Sequence, residues 1–495
     1  MELIERIRLH AARNPDSTAL EWPGGTIGYA GLAAEIERLA AELRGRGIRT
    51  LAIALGNGPA WAMLDLAALH AGLCLVPLPP FFSVGQMRHA LKLSGAQALV
   101  TDQAVVLRER LDLPESMGSW RVAGRPLSWI DLPGDPQAVP AGVRKLTFTS
   151  GTTGEPKGVM LGWNQMEPVV RSLADAAGVT PSDRHLALTP LSVLLENIAG
   201  IYTALWSGAT AIVPGCPEVG LIGSSRLDTA AMTLALDRFR ATSAIFSPQT
   251  LQGLVEAIES GLPRPAAFRF GAVGGAPVPP RLLERAAALD LPVYEGYGLS
   301  ECASVVCLNT PGHNRPGSTG RPLPHARLRI AADGEILIAG PGFAGYLGEE
   351  PPAGEWWASG DIGRLDPDGF LHLEGRRRNV FITTFGRNLA PEWVEGELTL
   401  EPAIAQAALF GEGRPWNTAV VVPAPGADAT AVAEAIARSN LNLPDYAQVS
   451  RWIAAEGPFT PANGQLTGTG RVRRAAVQGH YQQQIERLYQ EKPSA

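Results

Sequence analysis

Of the 42 lysines and arginines in this chain only four are lysine (Lys92, Lys145, Lys157 and Lys492), which leaves 38 arginines. Arginine is the default cation here, so a lysine in a glycine-rich loop asks for a chemical reason. Lys157 closes such a loop, TFTSGTTGEPKGVM (147–160), beside Thr149, Ser150, Thr152 and Thr153 and the glycines Gly151 and Gly154. Glycine lets a ligand approach the backbone closely, and successive amides form an anion nest. Hydroxyls add donors, and a compact ammonium supplies a mobile point charge. The chemistry is that of wrapping phosphate oxygens. The spacing is not that of a Walker A loop, and an ordinary polar surface loop has a similar composition.

The elements that must hold this loop can be read around it. RKLTFTS reads as a strand running into the loop, and a helix should start near Asn164, a good N-cap residue. Short apolar runs at LAIAL, CLVPL, QALVTD, KLTFTS, TAIVP, SAIFS and PVYEGY alternate with helical segments, the pattern of a doubly wound α/β sheet. In GLAAEIERLAAELRGRG apolar residues recur at three- and four-residue spacing. From about residue 318 the texture changes to short strands. The Asp-Gly pairs at 333–334 and 368–369 read as hairpin turns there. A third region from about 375 begins with GRRRN. It holds a helix opener (PEWVEGEL), strands at AALFG and AVVVP, and a long polar C-terminal helix.

TSGTTGEPKG resembles the phosphate-binding signature of the adenylate-forming superfamily, which includes acyl-CoA synthetases. The similarity runs over almost the whole chain, because other signatures follow in the family's order. GGAPVPP (274–280) resembles the adenine-side loop and YGLSE (297–301) the Tyr-Gly-x-Thr-Glu motif. STGRPLP (318–324) resembles a connecting loop, ASGD (358–361) the ribose motif and LEGRRRN (373–379) the inter-domain hinge. The resemblance implies an α/β fold with a large N-terminal domain of doubly wound sheets, residues 1–375, carrying a small β-rich subdomain at about 318–375. A small mobile α+β C-terminal domain, 376–495, would follow. It also implies a two-step ligase. A carboxylate attacks the α-phosphate of ATP, pyrophosphate leaves, and a thiol of coenzyme A or of a carrier-protein phosphopantetheine displaces AMP.

The site residues follow by resemblance. Thr149, Ser150, Gly151, Thr152, Thr153, Gly154 and Lys157 would cradle phosphates. Gly274, Gly275, Ala276, Pro277, Tyr297 and Gly298 would face adenine, and Asp361 and Arg376 would bind the ribose. Glu301 would bind Mg²⁺, since a hard cation prefers carboxylate oxygen. Ser300 keeps the hydroxyl where the family has threonine. Arg377 reads as solvated, and Arg378 or Asn379 falls where the hinge pivots. Gly386, in TTFGRNLAPEWVE, would line the pantetheine tunnel.

Two departures stand out. In NGQLTGTGRVRR (463–474), which resembles the long-chain fatty acyl-CoA synthetase version of its motif, Arg471 occupies the place of the usual catalytic lysine. Charge is kept, but a planar guanidinium differs from an ammonium. A relative that binds nucleotide without turnover therefore stays open beside the ligase. In TPLSVLLEN (189–197), Val193 stands where many relatives have histidine. With Leu191 and Leu194 it makes the wall apolar, favouring a hydrophobic acid such as a fatty acid. A net charge of −6 argues against nucleic acid as partner. The first residues are charged and helical, and the stretch 61–82 is interrupted by Asp65, His70 and prolines. A cytoplasmic protein without a membrane span is expected.

Overall fold

The computed structural model describes residues 2–114, 118–149, 156–222, 226–340, 342–382, 388–467 and 470–490. A seven-stranded sheet has a parallel centre in the order Ala98–Thr101, Thr50–Ala54, Cys74–Pro77 and Val143–Thr149. Antiparallel strands close it, Arg125–Asp131 on one side and Lys157–Gly162 on the other. A nine-stranded sheet has the parallel order Thr18–Trp22, Thr210–Ile212, Arg184–Leu186, Ser243–Phe246, Phe270–Val273 and Val293–Tyr297. Cys74–Pro77 and Ala98–Thr101 are buried throughout, as continuous apolar runs between helical layers must be. Helix Tyr29–Gly45 covers this core with Leu32, Ile36, Leu39 and Leu43, one face at helical spacing.

The expected hairpins are present in a four-stranded antiparallel sheet: Arg327–Ile330, Glu335–Ala339, Trp357–Leu365 and Leu371–Arg376. Beyond it, helices Pro391–Thr399, Ala429–Asn440 and Arg474–Gln490 pack on the strands Ile404–Phe410, Asn417–Pro423 and Val449–Ala454. These elements bury their own apolar clusters. The architecture is therefore a large α/β domain of several sheets and a smaller α+β domain.

Three expectations need correction. Residues 157–162 are strand and not loop: Lys157 pairs with Thr149 across an antiparallel hairpin. The following helix, Trp163–Ala176, is capped by Gly162, so Asn164 is not its cap. The strands Arg184–Leu186 and Phe270–Val273 were not anticipated. Polar Arg184 and His185 in the first and Gly271 in the second break the apolar run that marks equally short strands such as Cys74–Pro77. Among the described residues no helix is long and apolar enough to cross a membrane.

Candidate active site

Sequence-distant motifs converge where the two large sheets, the antiparallel sheet and the C-terminal domain meet. Asp361 and Arg376 are direct cross-strand partners in the antiparallel sheet. Arg376 Nε lies 2.8 Å from Asp361 Oδ1, and the Tyr297 hydroxyl donates to Asp361 Oδ2 at 2.6 Å. Asp361 is buried, and its backbone N–H donates to Ser359 Oγ at 3.0 Å. Burial raises the Asp361 pKa above 3.8, while Arg376 and the Tyr297 hydroxyl pull it back. Burial, followed by the charge of Asp361, holds the Tyr297 phenol well above its usual 10. The carboxylate is thus a fixed acceptor with one flank on a cation.

Tyr297 ends a strand, and Gly298 follows where no side chain fits: a Cβ there would meet the Ser304 carbonyl oxygen at 1.6 Å. That close approach folds Ser300–Cys302 into a single 3₁₀ turn carrying Ser300 and Glu301. Glu301 Oε1 accepts a hydrogen bond of 2.7 Å from the Tyr346 hydroxyl. Lys157 Nζ lies 2.7 Å from Glu349 Oε1 and 4.8 Å from the centre of the Tyr346 ring. Ser150, Gly151, Thr152, Thr153, Gly154 and Gly386 lie outside the described residues; Thr149 and Lys157, paired with each other, flank the segment expected to bind phosphate.

Gly274 follows strand Phe270–Val273 and donates its N–H to the Phe246 carbonyl at 3.2 Å. Gly275 takes a left-handed φ of +81°, which presents its carbonyl, and Ala276 and Pro277 are exposed beside it. The Arg471 guanidinium donates to that Gly275 carbonyl from the C-terminal domain. Arg471 is exposed as a residue; what is enclosed is its charged end. This enclosure, and then the like charge of Arg376, lower its pKa below 12.5; Arg378 adds to the effect, and Asp361 and Glu392 oppose it.

Other contacts hold the small domain in this orientation. Leu400 is buried in the core built mainly from residues 186–291, and Gln252 Nε2 donates to the Thr399 carbonyl at 3.1 Å. The hinge residue Asn379 bonds Glu392, while Arg474 lies 2.6 Å from Glu395. Arg377 is solvent-exposed as expected, and it also bridges Asp333 at 2.7 Å and Glu335 at 2.5 Å, on the hairpin beside it.

On the acyl side the expected apolar wall is only partly present. Leu191 and Leu194 turn into the main core, and Val193 alone of the three stays partly exposed. The next residues, Leu195–Tyr202, form a π-helix, a rare form that often marks functional sites. Its buried Glu196 accepts from His185 Nε2 at 2.8 Å, and from Thr189 N and Oγ1 at 3.1 and 2.9 Å. Asn57 pins the same loop by accepting from Leu191 N at 2.7 Å and donating to the Thr189 carbonyl at 2.8 Å. Sequence reasoning missed Tyr346, Glu349, Glu196 and Asn57. Glu196 lies within TPLSVLLEN, where only its apolar neighbours were weighed; the other three lie in none of the quoted motifs, and pairing of remote segments brings them in.

Chemically the arrangement suits a nucleotide. Arg376, Arg378 and Arg471 repel one another, and among the described residues Asp361 and Glu392 oppose that repulsion. A phosphate would relieve that repulsion. Glu301 offers a single carboxylate, the donor set of Mg²⁺ held mainly through phosphate oxygens and not of a closed protein cage.

The chain matches the model of AMP-binding enzymes over residues 7–347, and that of the AMP-binding enzyme C-terminal domain over residues 379–493. It is 27% identical to the long-chain-fatty-acid–CoA ligase FadD15 of Mycobacterium bovis, over 87% of this chain and 86% of that protein. It is 30% identical to a feruloyl-CoA synthase of Amycolatopsis sp., over 84% and 87%. Its fold matches the crystal structure of the anthranilate CoA ligase AuaEII in complex with anthranoyl-AMP, with a TM-score of 0.80 at 18% identity and 97% coverage of both chains. The chain therefore belongs to the AMP-binding, adenylate-forming enzymes, as an AMP-forming ligase of the acyl-CoA synthetase kind.

Proposed function

We propose that this enzyme activates a hydrophobic carboxylic acid, a medium- or long-chain fatty acid, and transfers it to coenzyme A. In the first step a carboxylate oxygen bonds to the α-phosphorus of ATP. The bond from that phosphorus to the bridging oxygen breaks, and pyrophosphate leaves with its electron pair. In the second step a thiolate sulfur bonds to the acyl carbon and AMP leaves; the thiol proton passes to solvent.

The chain needs no side-chain nucleophile for this, only positioning and charge neutralisation. Asp361 accepts from the ribose hydroxyls with Arg376 beside it. Gly274–Pro277 and Tyr297 flank the base. Lys157 and the hydroxyls of its loop take the terminal phosphates, and Glu301 would hold Mg²⁺, which supplies charge compensation there. The observation that carries the reading is Arg471: it crosses from the C-terminal domain onto Gly275, in the cleft that also holds Asp361. That contact supports the reading that Arg471 takes the role of the usual lysine with the same charge. For the second step the small domain turns on the hinge at Arg378–Asn379 and brings the Gly386 segment to the thiol. All four cysteines are free, which suits the cytoplasm.

The fatty-acid assignment rests on the FadD15 likeness and the NGQLT segment; the feruloyl-CoA synthase likeness favours an aryl acid instead. Pyrophosphate release measured over a panel of fatty and aryl acids, with free coenzyme A or an acyl carrier protein as acceptor, decides between them. Turnover with fatty acids and free coenzyme A is expected. Turnover with aryl acids alone would replace the substrate, turnover with carrier protein alone would replace the acceptor, and ATP binding without any turnover would leave a nucleotide-binding relative.

A further inference from the structure

The segment GFAGYLGEE (342–350) enters none of the motifs that mark the site. It nevertheless runs along strand Lys157–Gly162 as a strand fragment. Met160 N donates to the Gly345 carbonyl at 3.1 Å, Ala344 N to the Met160 carbonyl at 3.0 Å and Leu347 N to the Gly158 carbonyl at 2.8 Å. Val159 and Tyr346 face each other across this pairing. The Tyr346 ring packs edge-on against Phe343 at 4.9 Å, and Phe343 against Trp357 at 5.5 Å. Backbone and ring are both fixed, so the two functional contacts of the side chain are fixed with them.

Those contacts have opposite signs. The hydroxyl donates to Glu301 at 2.7 Å, and the ring face lies 4.8 Å from the Lys157 ammonium. Lys157 also meets the exposed carboxylate of Glu349, at 2.7 Å, and Glu349 N donates to the Tyr346 carbonyl at 3.0 Å in the same turn. An ammonium and a carboxylate free to approach would close into an ion pair and leave neither for a ligand.

We infer that Tyr346 is a positioning residue for the nucleotide: its hydroxyl aims Glu301, its ring seats Lys157, and Glu349 holds the lysine until a triphosphate takes its place. The inference rests on the reading that ATP and a divalent cation bind here. Burial, followed by the charge of Glu301, keeps the phenol protonated and therefore a donor, in agreement with this role.

Calorimetry on the full chain with α,β-methylene ATP and Mn²⁺, with the metal-free analogue, and with AMP alone tests it. In Tyr346→Phe the affinity for the metal–nucleotide complex should fall about tenfold, the value of one hydrogen bond to a charged group. Affinity for AMP should stay within about twofold, because AMP lacks the phosphates that Lys157 and the metal address. In Glu349→Gln the metal-free analogue should bind about two- to threefold more tightly, a small gain because the pair is exposed. Equal losses for AMP and the metal complex in Tyr346→Phe, or no loss in either, overturn the positioning role. Unchanged or weaker binding in Glu349→Gln overturns the holding role. If the wild-type chain binds neither nucleotide, the proposed activation reaction itself falls, and the inference with it.

Discussion

Lys145 and Lys157 stand on the two strands of one antiparallel pair, and their surroundings could hardly differ more. Lys145 is wholly buried. Its ammonium donates to Asp65 at 2.6 Å, to Tyr202 at 3.1 Å and to Asn197. Asn197 and Tyr202 each donate in turn to Asp65 Oδ2 at 2.8 Å. Burial pushes the Lys145 pKa below its usual 10.5 against the pull of Asp65. Every valence of this cluster is spent inside the protein. Lys157, at the mouth of the same hairpin, has among the described residues one exposed carboxylate and one ring face as partners. A closed network holds structure; an open one is free to hold a ligand.

Breaking the closed network should have the largest effect. Lys145→Met leaves Asp65 buried without its cation, and about 3–5 kcal/mol of stability should go. Urea unfolding would measure the loss, and the protein that remains folded should bind AMP as before. A stability change under 1 kcal/mol would mean that the network is not closed in the sense argued. On the open side the order reverses, with function lost and stability kept. Arg471→Ala should slow acyl-adenylate formation about 10²- to 10³-fold, the usual cost of one charge-stabilising donor. It should leave thioester formation from supplied acyl-adenylate, and the unfolding midpoint, nearly unchanged. If both half-reactions slow together, Arg471 acts on the fold and not on the first step.

Glu295 sharpens the contrast as a third case, since burial alone raises its pKa from 4.5 to about 8. The unfolded chain releases this proton near 4.5, whereas the folded chain keeps it until about 8. Between those values the unfolded state binds fewer protons, so stability falls as pH rises, by up to about 1.4 kcal/mol per pH unit from this group. Glu295→Gln should flatten that slope in unfolding midpoints taken from pH 5 to 8; parallel curves for the two proteins would refute it. The smallest effect belongs to Arg471→Lys, which keeps the charge and should leave adenylation within about threefold or faster. A loss beyond tenfold would mean that the fork geometry, and its bond to Gly275, is specifically required.

Much of this was legible beforehand. The buried parallel strands announced themselves as apolar runs, and both Asp-Gly hairpins fell where the pattern put them. Asp361, Arg376, Glu301 and Arg471 were singled out through resemblance, because the motifs that carry them are short and local. Strand Phe270–Val273 and the π-helix were not, since Gly271 interrupts the apolar run of the one and the other shares the apolar texture of an ordinary helix. The exposure of Arg377 was read correctly, but not its partners Asp333 and Glu335, which reach it only through sheet pairing.

Composition and periodicity, taken alone, indicated an α/β chain and a loop suited to an anion, and the resemblance of short motifs supplied the expected ligand, because these depend on residue type over short stretches. Tertiary structure decided which lysine is sealed and which stays open. It also decided that Tyr346 stands between Lys157 and Glu301, and that Arg471 reaches Gly275. The reason is physical. Whether a charge is spent internally depends on partners brought up from distant strands, and no local pattern records how many of them arrive.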